Sequence, residues 1–355
     1  MRVTFLVAAL DNGGGVRVLA HYAQGLMQMG HTVLVVSPAP FPYGRLNRLK
    51  NAVLPYMKGR PSNHFDRLGV PVKMLRRHRT VKANDVPDAD VIVATWWETA
   101  VWLSNFPNSK GRKVHFVQGY EIWNGRKQDV DETLNLPNVK ITISKWLASI
   151  LVGLGLPAPE IIPNGLDSEL FSVPSRKRPS QPMVGFVHTN NSMKGADIAI
   201  EAIQIAQKTH PNLQVIAFGH SPPQSPINLR NMTFIVSPAQ EELSAIYGSC
   251  TAWLFPSREE GFGLPILEAI ACGTPVIACP SGAAPEILEN GGGALLKTFE
   301  PDEMAAAIME YIGLDDKEWN NASIQSIQIS KNYLWKYSIN RLSDYLEKIY
   351  NTELK

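Results

Sequence analysis

Strands rich in Val and Ile alternate with helical stretches along nearly the whole chain, and this alternation limits the fold most strongly. The first unit predicts a strand over residues 3–9, a glycine-rich turn, a helix over 16–29 and a strand over 32–37. Further strands are predicted at 91–95, 114–118, 139–144, 183–188, 214–219, 232–236 and 252–255, with helices at 196–209, 239–249 and 331–350. Such alternation favours an α/β fold, a parallel sheet covered on both faces.

The length of the chain predicts two domains. At 355 residues it exceeds the size at which a single hydrophobic core stops growing. Residues 166–182 hold several prolines among Ser, Arg and Lys, which predicts a linker. We therefore expect a first domain at 1–165, a second at 183–328 and a terminal helical stretch at 329–355.

Cysteine usage and apolar runs point to a cytoplasmic protein. The three cysteines form no Cys-x-x-Cys pair and lie in apolar surroundings, as expected of buried, reduced thiols. The apolar run at the N-terminus stops at Asp11, so a buried first strand is expected there rather than a signal peptide. No apolar stretch reaches the roughly 18 residues that a membrane span needs.

Two carboxylates, Glu260 and Glu268, enclose a run of seven residues that contains two glycines and Pro265. Pro265 suits the first turn of a helix, and the glycines let backbone amides approach a ligand closely. A helix N-terminus with exposed amides attracts phosphate. The motif therefore predicts a phosphate site at which the amides of Phe262, Gly263 and Leu264 bind the ligand. The two acids would then contact its hydroxyl groups.

This motif and its flanks resemble the retaining glycosyltransferases of family 4, which have the GT-B fold. The resemblance covers nearly the whole chain and rests on four ordered blocks, at 162–167, 193–197, 255–268 and 268–278 with Glu286 beyond. It implies two Rossmann-like domains facing each other across a cleft, with a C-terminal helix that crosses back to the first domain. The implied reaction, typical of polysaccharide biosynthesis, moves a hexose or deoxyhexose from a nucleotide diphosphate sugar to a glycan or lipid-linked acceptor. It retains the anomeric configuration and needs neither a metal nor a cofactor.

The resemblance also assigns roles on the donor side. Glu260 would hold the donor sugar, Glu268 the ribose, and Lys194 would offset the charge on the diphosphate. The family usually adds an arginine five residues before this lysine, where this chain has Thr189. Arg258 is the candidate for the missing charge, with a solvent-exposed arginine as the alternative. Asn164 lies in the first of the four blocks and is expected to bind the nucleotide sugar.

The acceptor side is expected in the first domain. The family commonly has a histidine facing the sugar where this chain has Gln118, and glutamine cannot act as a base at neutral pH. Either Gln118 orients an acceptor hydroxyl, because the departing phosphate takes the proton, or Glu121 is the working acid or base. Aromatic residues near the same strand ends predict a platform for the acceptor, with core packing as the alternative; they are Trp96, Trp97, Tyr120 and Trp123.

The glycine-rich turn after the first strand does not match a dinucleotide site. Val18 occupies the third glycine position of that fingerprint, and no acid follows the second strand. In the resembling family this loop lies near the donor phosphate and the acceptor, which the amides of Gly14 and Gly15 would serve. A tight turn that needs glycine only for packing is the alternative.

The segment 43–82 carries eleven Lys and Arg residues against one acid, Asp66. Interleaved apolar residues give part of it an amphipathic pattern, which favours a peripheral contact with an anionic membrane surface. A solvated insertion is the alternative. Nucleic acid is not expected, since no recognised binding motif accompanies the charge.

The same residues are compatible with two other functions and do not favour a metal site. A nucleotide-sugar epimerase or hydrolase on this frame would turn over without an acceptor. A non-catalytic module that binds sugar nucleotides or glycans would fit Thr189 and Gln118. The Asp-x-Asp sequences at 88–90 and 129–131 do not predict a metal site, because short acidic tripeptides are common by chance.

Overall fold

The computed structural model of the chain describes residues 1–11, 13–40 and 63–352. The strands of this part are β1 (Arg2–Leu6), β2 (Thr32–Ser37), β3 (Val72–Met74), β4 (Val91–Ala94), β5 (Arg112–Val117), β6 (Val139–Thr142), β7 (Glu160–Ile161), β8 (Met183–Val187), β9 (Gln214–Gly219), β10 (Met232–Val236), β11 (Ala252–Phe255), β12 (Val276–Ala278) and β13 (Gly293–Leu295). The α-helices are α1 (Gly14–Gln28), α2 (His64–Arg67), α3 (Trp97–Ser104), α4 (Lys127–Leu134), α5 (Lys145–Gly153), α6 (Ala196–Thr209), α7 (Gln240–Gly248), α8 (Leu264–Ala271), α9 (Ala284–Ile287), α10 (Pro301–Gly313), α11 (Asp316–Ser330) and α12 (Trp335–Asn351).

The chain divides into two compact units. Unit 1 comprises Met1–Ile143, Leu147–Pro163 and Trp335–Lys355, and unit 2 comprises Ser144–Trp146 and Asn164–Leu334. Residues 166–182, which the sequence presents as a linker, fall within unit 2 in this division. The helix α12 falls within unit 1.

Unit 1 is built on a parallel sheet with the strand order β3-β2-β1-β4-β5-β6-β7 among its described residues. All four residues of β4, Val91–Ala94, are buried, as expected of a strand covered on both faces. The chain runs outward from β1 in one direction and from β4 in the other. The carboxyl ends of β1 and β4 therefore flank a topological switch point, where sheets of this kind bind ligands, and β5 is the next strand beyond β4.

The terminal helix α12 packs on α1 inside unit 1. The ring of Trp335 stacks on His21 with centroids 4.8 Å apart and meets Tyr22 edge-on at 5.2 Å. A Cβ on Gly25 would lie 2.3 Å from the side chain of Ile339, so the two helices approach through a residue that has no side chain. This contact explains why the last helix belongs to the first unit.

Unit 2 repeats the plan of unit 1 with the strand order β10-β9-β8-β11-β12-β13. Its core joins β8, β9 and β11 to α6 and α10 and includes Phe186, Ile203, Leu254 and Met304, each almost fully buried. The switch point lies between β8 and β11. The α/β class and the two parallel-sheet domains predicted from the sequence are thus confirmed.

Several predicted boundaries differ from the observed ones. The first strand was expected to reach residue 9 but ends at Leu6, and the strand expected over 91–95 ends at Ala94. The short strands β3, β7, β12 and β13 were not predicted. Of the basic segment 43–82, residues 43–62 lie outside the described residues. No helix in the described part of the chain is long and apolar enough to cross a bilayer.

Candidate functional site

The loop after β8 places Lys194 at the switch point of unit 2. Asn191 accepts a hydrogen bond from the amide of Met193 and so begins a 3-10 turn over Ser192–Lys194. Gly195 follows with φ +66°, and a Cβ there would lie only 2.0 Å from the carbonyl oxygen of Pro256. A side chain at residue 195 is therefore excluded on both conformational and steric grounds. The Lys194 turn is held directly against the loop after β11.

The loop after β11 carries Glu260. The Lys194 ammonium lies 2.6 Å from Glu260 Oε2, and both side chains are partly exposed. The loop after β12 packs against the backbone of Glu260. A Cβ on Gly282, in that loop, would lie 2.8 Å from the Glu260 carbonyl oxygen. The structure thus brings together two of the predicted catalytic residues, which lie 66 positions apart in sequence.

Helix α8 begins directly after this loop. Gly263 precedes it with φ +105°, and Pro265 occupies its first turn, as the motif predicts. The side chain of Phe262 is buried and meets the ring of Tyr333 edge-on at 6.3 Å. A ligand at this helix N-terminus therefore meets the backbone of Phe262 and not its ring.

Glu268 lies in the second turn of α8, and its side chain is only 4% exposed. Its Oε2 accepts a hydrogen bond of 2.7 Å from the hydroxyl of Tyr247, at the end of α7. The predicted ribose ligand is thus a buried carboxylate held by a tyrosine. Sequence reasoning missed Tyr247, because its place in an apolar helical stretch is typical of a core residue.

Arg258 has a different set of partners from the one suggested by the sequence. Its guanidinium binds both carboxylate oxygens of Asp197, at 2.6 and 2.8 Å, and donates to the carbonyl of Ser192 at 2.9 Å. The Arg258 amide donates to the carbonyl of Met193. Hydrogen bonding to the guanidinium lowers the pKa of Asp197. Arg258 therefore braces the turn that carries Lys194.

Asn164 and Thr189 are two further positions of unit 2 that the sequence analysis singled out. Asn164 is buried, and its Oδ1 has no hydrogen-bond partner among the described residues. Thr189, which stands where the resembling family has arginine, accepts a hydrogen bond from the Asn191 amide at 3.2 Å. Thr189 therefore helps to shape the Lys194 loop.

In unit 1 the glycine-rich turn meets Gln118. Gly14 and Gly15 are the first residues of α1, directly after β1 and its turn. A Cβ on Gly15 would lie 3.7 Å from Gln118 Oε1, just beyond the end of β5. The amide of Gly13 donates to Asp11 Oδ1 at 2.8 Å, which orders the turn. The structure therefore brings Gly15 and Gln118 together next to the switch point of this sheet.

The aromatic residues follow β4 and β5. Trp96 caps helix α3, and its ring meets the exposed ring of Trp123 at 5.3 Å. Trp96 and Trp97 were expected to end a strand, whereas the strand ends at Ala94, Trp96 is the N-cap residue of α3 and Trp97 is its first residue. Trp97 Nε1 is buried without a hydrogen-bond partner in the described ranges. The hydroxyl of Tyr120 donates to Asp131 Oδ1 at 2.6 Å, so this ring is tethered to α4.

Glu121 is almost fully buried beside these aromatic residues. Its Oε2 accepts a hydrogen bond of 2.8 Å from the Trp97 amide, the first of α3. Burial raises the pKa of Glu121 to about 8, against the opposing effect of that hydrogen bond, and the nearby charge of Glu98 adds to the rise. The carboxyl group therefore ties the loop after β5 to the start of α3 and carries a proton at neutral pH.

Comparisons with known proteins match both halves of the chain. The model for glycosyl transferases group 1 matches residues 167–326, and the model for Glycosyltransferase Family 4 matches residues 12–170. D-inositol 3-phosphate glycosyltransferase of Mycolicibacterium gilvum is 27% identical over 242 residues, which are 61% of this chain and 52% of that protein. MMP alpha-(1->4)-mannosyltransferase of Mycolicibacterium hassiacum is 25% identical over 262 residues, or 68% and 56% of the two chains. The chain thus spans about half the length of the curated relatives it matches.

Solved structures share the fold over nearly their whole length. HepE of Anabaena, solved with UDP and glucose, superposes with a TM-score of 0.77 at 20% identity, covering 98% of this chain and 100% of that one. Sucrose-phosphate synthase from Thermosynechococcus elongatus gives 0.73 at 17% identity, covering 98% and 99%. The fold is therefore that of the GT-B glycosyltransferases. Since the two family models together cover most of the sequence, the chain belongs to the group 1, family 4 glycosyltransferases.

Proposed function

We propose that the protein is a retaining, metal-independent glycosyltransferase. In this proposal it moves a hexose or deoxyhexose from a nucleoside diphosphate sugar to a hydroxyl group of a glycan or lipid-linked acceptor. Family membership and the UDP seen with HepE support a nucleotide-sugar donor. The names of the curated relatives, which include a phosphatidyl-myo-inositol mannosyltransferase, support a polyhydroxylated acceptor.

The observation that carries the proposal is the Lys194–Glu260 pair beside the N-terminus of α8. Departure of a nucleoside diphosphate places negative charge on phosphate oxygens in the transition state. The Lys194 ammonium and the first amides of α8 supply positive potential at one place. When a diphosphate binds, it competes with Glu260 for Lys194. Glu260 is then released to accept hydrogen bonds from hydroxyl groups of the donor sugar.

Glu268 is proposed to bind the ribose of the donor. It lies one turn further along α8 than the loop amides, on an element that is rigidly packed in unit 2. A carboxylate accepts hydrogen bonds from two neighbouring hydroxyl groups. Because the ribose is common to UDP, GDP and ADP sugars, Glu268→Ala should weaken the binding of these donors whichever sugar they carry. Glu260→Ala should mainly lower turnover.

Retention and metal independence are further parts of this proposal, and the same chemistry is compatible with them. In front-face attack the departing phosphate itself accepts the proton of the acceptor hydroxyl, so Gln118 need only orient that hydroxyl. Lys194 and the helix amides offset the developing charge in place of a divalent cation. We expect the product to have the same anomeric configuration as the donor, as measured by the coupling constant of the anomeric proton. We also expect full activity in excess EDTA.

An anionic membrane surface is proposed as a further partner of unit 1. Among the described residues of the basic segment, Lys73, Arg76, Arg77 and Arg79 line a shallow concavity of about 360 Å³. Arg79 is engaged by both carboxylate oxygens of Asp85, whereas Arg76 and Arg77 are exposed. Arg76 and Arg77 are therefore the residues assigned to anionic lipid headgroups, and the protein is proposed to act at the cytoplasmic face of a membrane.

Nucleotide release with and without acceptor tests the proposed reaction. The protein would be incubated with the common UDP, GDP, dTDP and ADP sugars, alone and with glycan and lipid-linked acceptors. We expect release that depends on the acceptor and is lost in Lys194→Met, but not in Lys208→Met, which removes an exposed lysine from α6 of the same unit. Release without acceptor would instead identify an epimerase or hydrolase. Donor binding with no turnover under any condition would identify a binding module.

A further inference from the structure

The hydroxyl of Tyr247 lies inside unit 2, beside Glu268, the residue proposed to bind the ribose. Tyr247 is fully buried near the end of α7, and its hydroxyl donates to Glu268 Oε2 at 2.7 Å. The two residues are 21 positions apart, on helices that pack against each other. Glu268, on α8, is therefore held by a residue of a different helix, α7.

Aromatic neighbours and a hydrogen bond from Thr274 hold Tyr247 in place. Trp253 meets its ring at 4.5 Å, and Phe218 and Phe171 meet it at 6.1 and 6.2 Å, all in edge-on arrangements. Its carbonyl accepts a hydrogen bond of 2.7 Å from Thr274 Oγ1. Because ring and backbone are both held, the hydroxyl cannot follow Glu268 if that side chain rotates. The hydrogen bond from Tyr247 to Glu268 Oε2 therefore forms only in one orientation of the carboxylate.

A hydrogen-bond donor at this place has two effects on Glu268. A carboxylate with so little exposure is costly unless donors solvate it, and a hydroxyl group is such a donor. A donor on Oε2 also restricts the rotation of the carboxylate plane, and hence the directions of the lone pairs on both of its oxygens. Both effects favour one fixed orientation of the Glu268 carboxylate over a rotated one.

We infer that Tyr247 is a positioning residue for donor binding, which acts by holding the Glu268 carboxylate in the orientation that the ribose hydroxyl groups require. The inference rests on the proposed function, in which Glu268 binds the ribose. It extends that function to a residue that does not itself touch the donor. Tyr247 should therefore affect donor affinity and leave the chemical step unchanged.

Tyr247→Phe is the test, since it removes one hydroxyl and keeps the ring among its aromatic neighbours. The probe is whichever of UDP, GDP, dTDP and ADP binds the wild type most tightly by calorimetry. We expect its Kd to rise about tenfold, the size of one lost hydrogen bond to a charged group. The KM for the matching sugar donor should rise by a similar factor, with kcat within about twofold of the wild type.

A double-mutant cycle with Glu268→Gln separates positioning from a structural role. If Tyr247 acts through Glu268, Tyr247→Phe should cost little further affinity in the Glu268→Gln background. Tyr311→Phe, a partly buried tyrosine of α10 in the same unit, is the control for loss of a tyrosine hydroxyl and should leave the Kd unchanged.

Each result decides a separate point. An unchanged Kd in Tyr247→Phe, with a weaker Kd in Glu268→Gln, overturns the inference and leaves the proposed function intact. Equal and independent losses in the two variants also overturn it. An unchanged Kd in Glu268→Gln would show that Glu268 does not bind the ribose. If the wild type binds none of the four nucleotides, the inference about Tyr247 and the proposed function are both overturned.

Discussion

The protonated state of Glu121 makes the stability of unit 1 depend on pH in an unusual direction. The group is almost fully buried, and burial raises its pKa from 4.5 to about 8. Glu121→Gln is the informative change, because the amide oxygen of glutamine can still accept the hydrogen bond from the Trp97 amide. Glutamine is neutral at every pH, as a protonated glutamate is. The comparison therefore isolates the titration of one carboxyl group.

The sign follows from proton binding in the two states. Between pH 4.5 and about 8 the folded protein keeps a proton on Glu121 that the unfolded chain has released. The folded state then binds more protons, so the free energy of unfolding falls as pH rises. The slope is at most about 1.4 kcal/mol per pH unit. From pH 6 to 8 the wild type should lose about 2 kcal/mol relative to Glu121→Gln, and above the folded pKa the difference should level off.

Urea unfolding of both proteins at half-unit steps from pH 5.5 to 8.5, followed by tryptophan fluorescence, measures this difference. Asp344→Asn removes an exposed carboxylate from α12 of the same unit and controls for the change in net charge. We expect Glu121→Gln to gain on the wild type steadily up to about pH 8. Stability curves for the wild type and Glu121→Gln that run parallel across the whole range would refute the argument, because they would mean that Glu121 is ionised when folded.

Three further changes test other parts of the structure. Gly195→Ala should destabilise unit 2 by more than about 2 kcal/mol in urea unfolding, because the new Cβ meets the Pro256 carbonyl and the backbone has positive φ. Arg258→Lys should lower kcat/KM for the donor about tenfold, because the brace on the Lys194 turn is lost, while stability changes by less than about 1 kcal/mol for so exposed an ion pair. Arg76→Ala with Arg77→Ala should release the protein from vesicles rich in phosphatidylglycerol at physiological salt.

Matched variants show what would contradict these expectations. Gly313→Ala adds a Cβ where no atom lies within 4 Å and should be neutral, so equal losses at residues 195 and 313 would refute the clash. Wild-type activity in Arg258→Lys would mean that the Lys194 turn needs no brace. Lys317→Ala with Lys331→Ala removes the same charge from exposed positions elsewhere. Vesicle binding that falls equally in both double variants, or is absent in the wild type, would contradict a local membrane surface.

The sequence predicted the parts of the fold that depend on regular patterns. Alternating Val-rich and Ile-rich strands with helices gave two parallel sheets, and the strand expected over 32–37 is observed as β2 (Thr32–Ser37). Strand β3 (Val72–Met74) was missed because it is three residues long and lies in a run of basic residues whose charge dominates the pattern. Pairing with β2 defines this strand, and such pairing leaves no local signal.

The candidate site was predictable where a local motif carries it and not where distant side chains meet. The glycines and Pro265 correctly predicted the start of α8. Nothing in the sequence links Tyr247 to Glu268 or Arg258 to Asp197. Arg258 was expected to be a phosphate ligand or a solvated residue, whereas the structure pairs it with Asp197 and leaves phosphate binding there a prediction. Such pairings depend on the tertiary fold, which brings together residues that are far apart in the chain.

Nucleotide binding by the wild type and by Lys194→Ala tests the account most directly. Calorimetry with UDP, GDP, dTDP and ADP should find one nucleoside diphosphate that binds the wild type, and Lys194→Ala should weaken that diphosphate about tenfold or more. The corresponding nucleoside should lose little affinity in Lys194→Ala, because it carries no phosphate for the ammonium to contact. Binding of no nucleotide by the wild type, or equal diphosphate affinity in the two proteins, would contradict a donor site built around Lys194 and the start of α8.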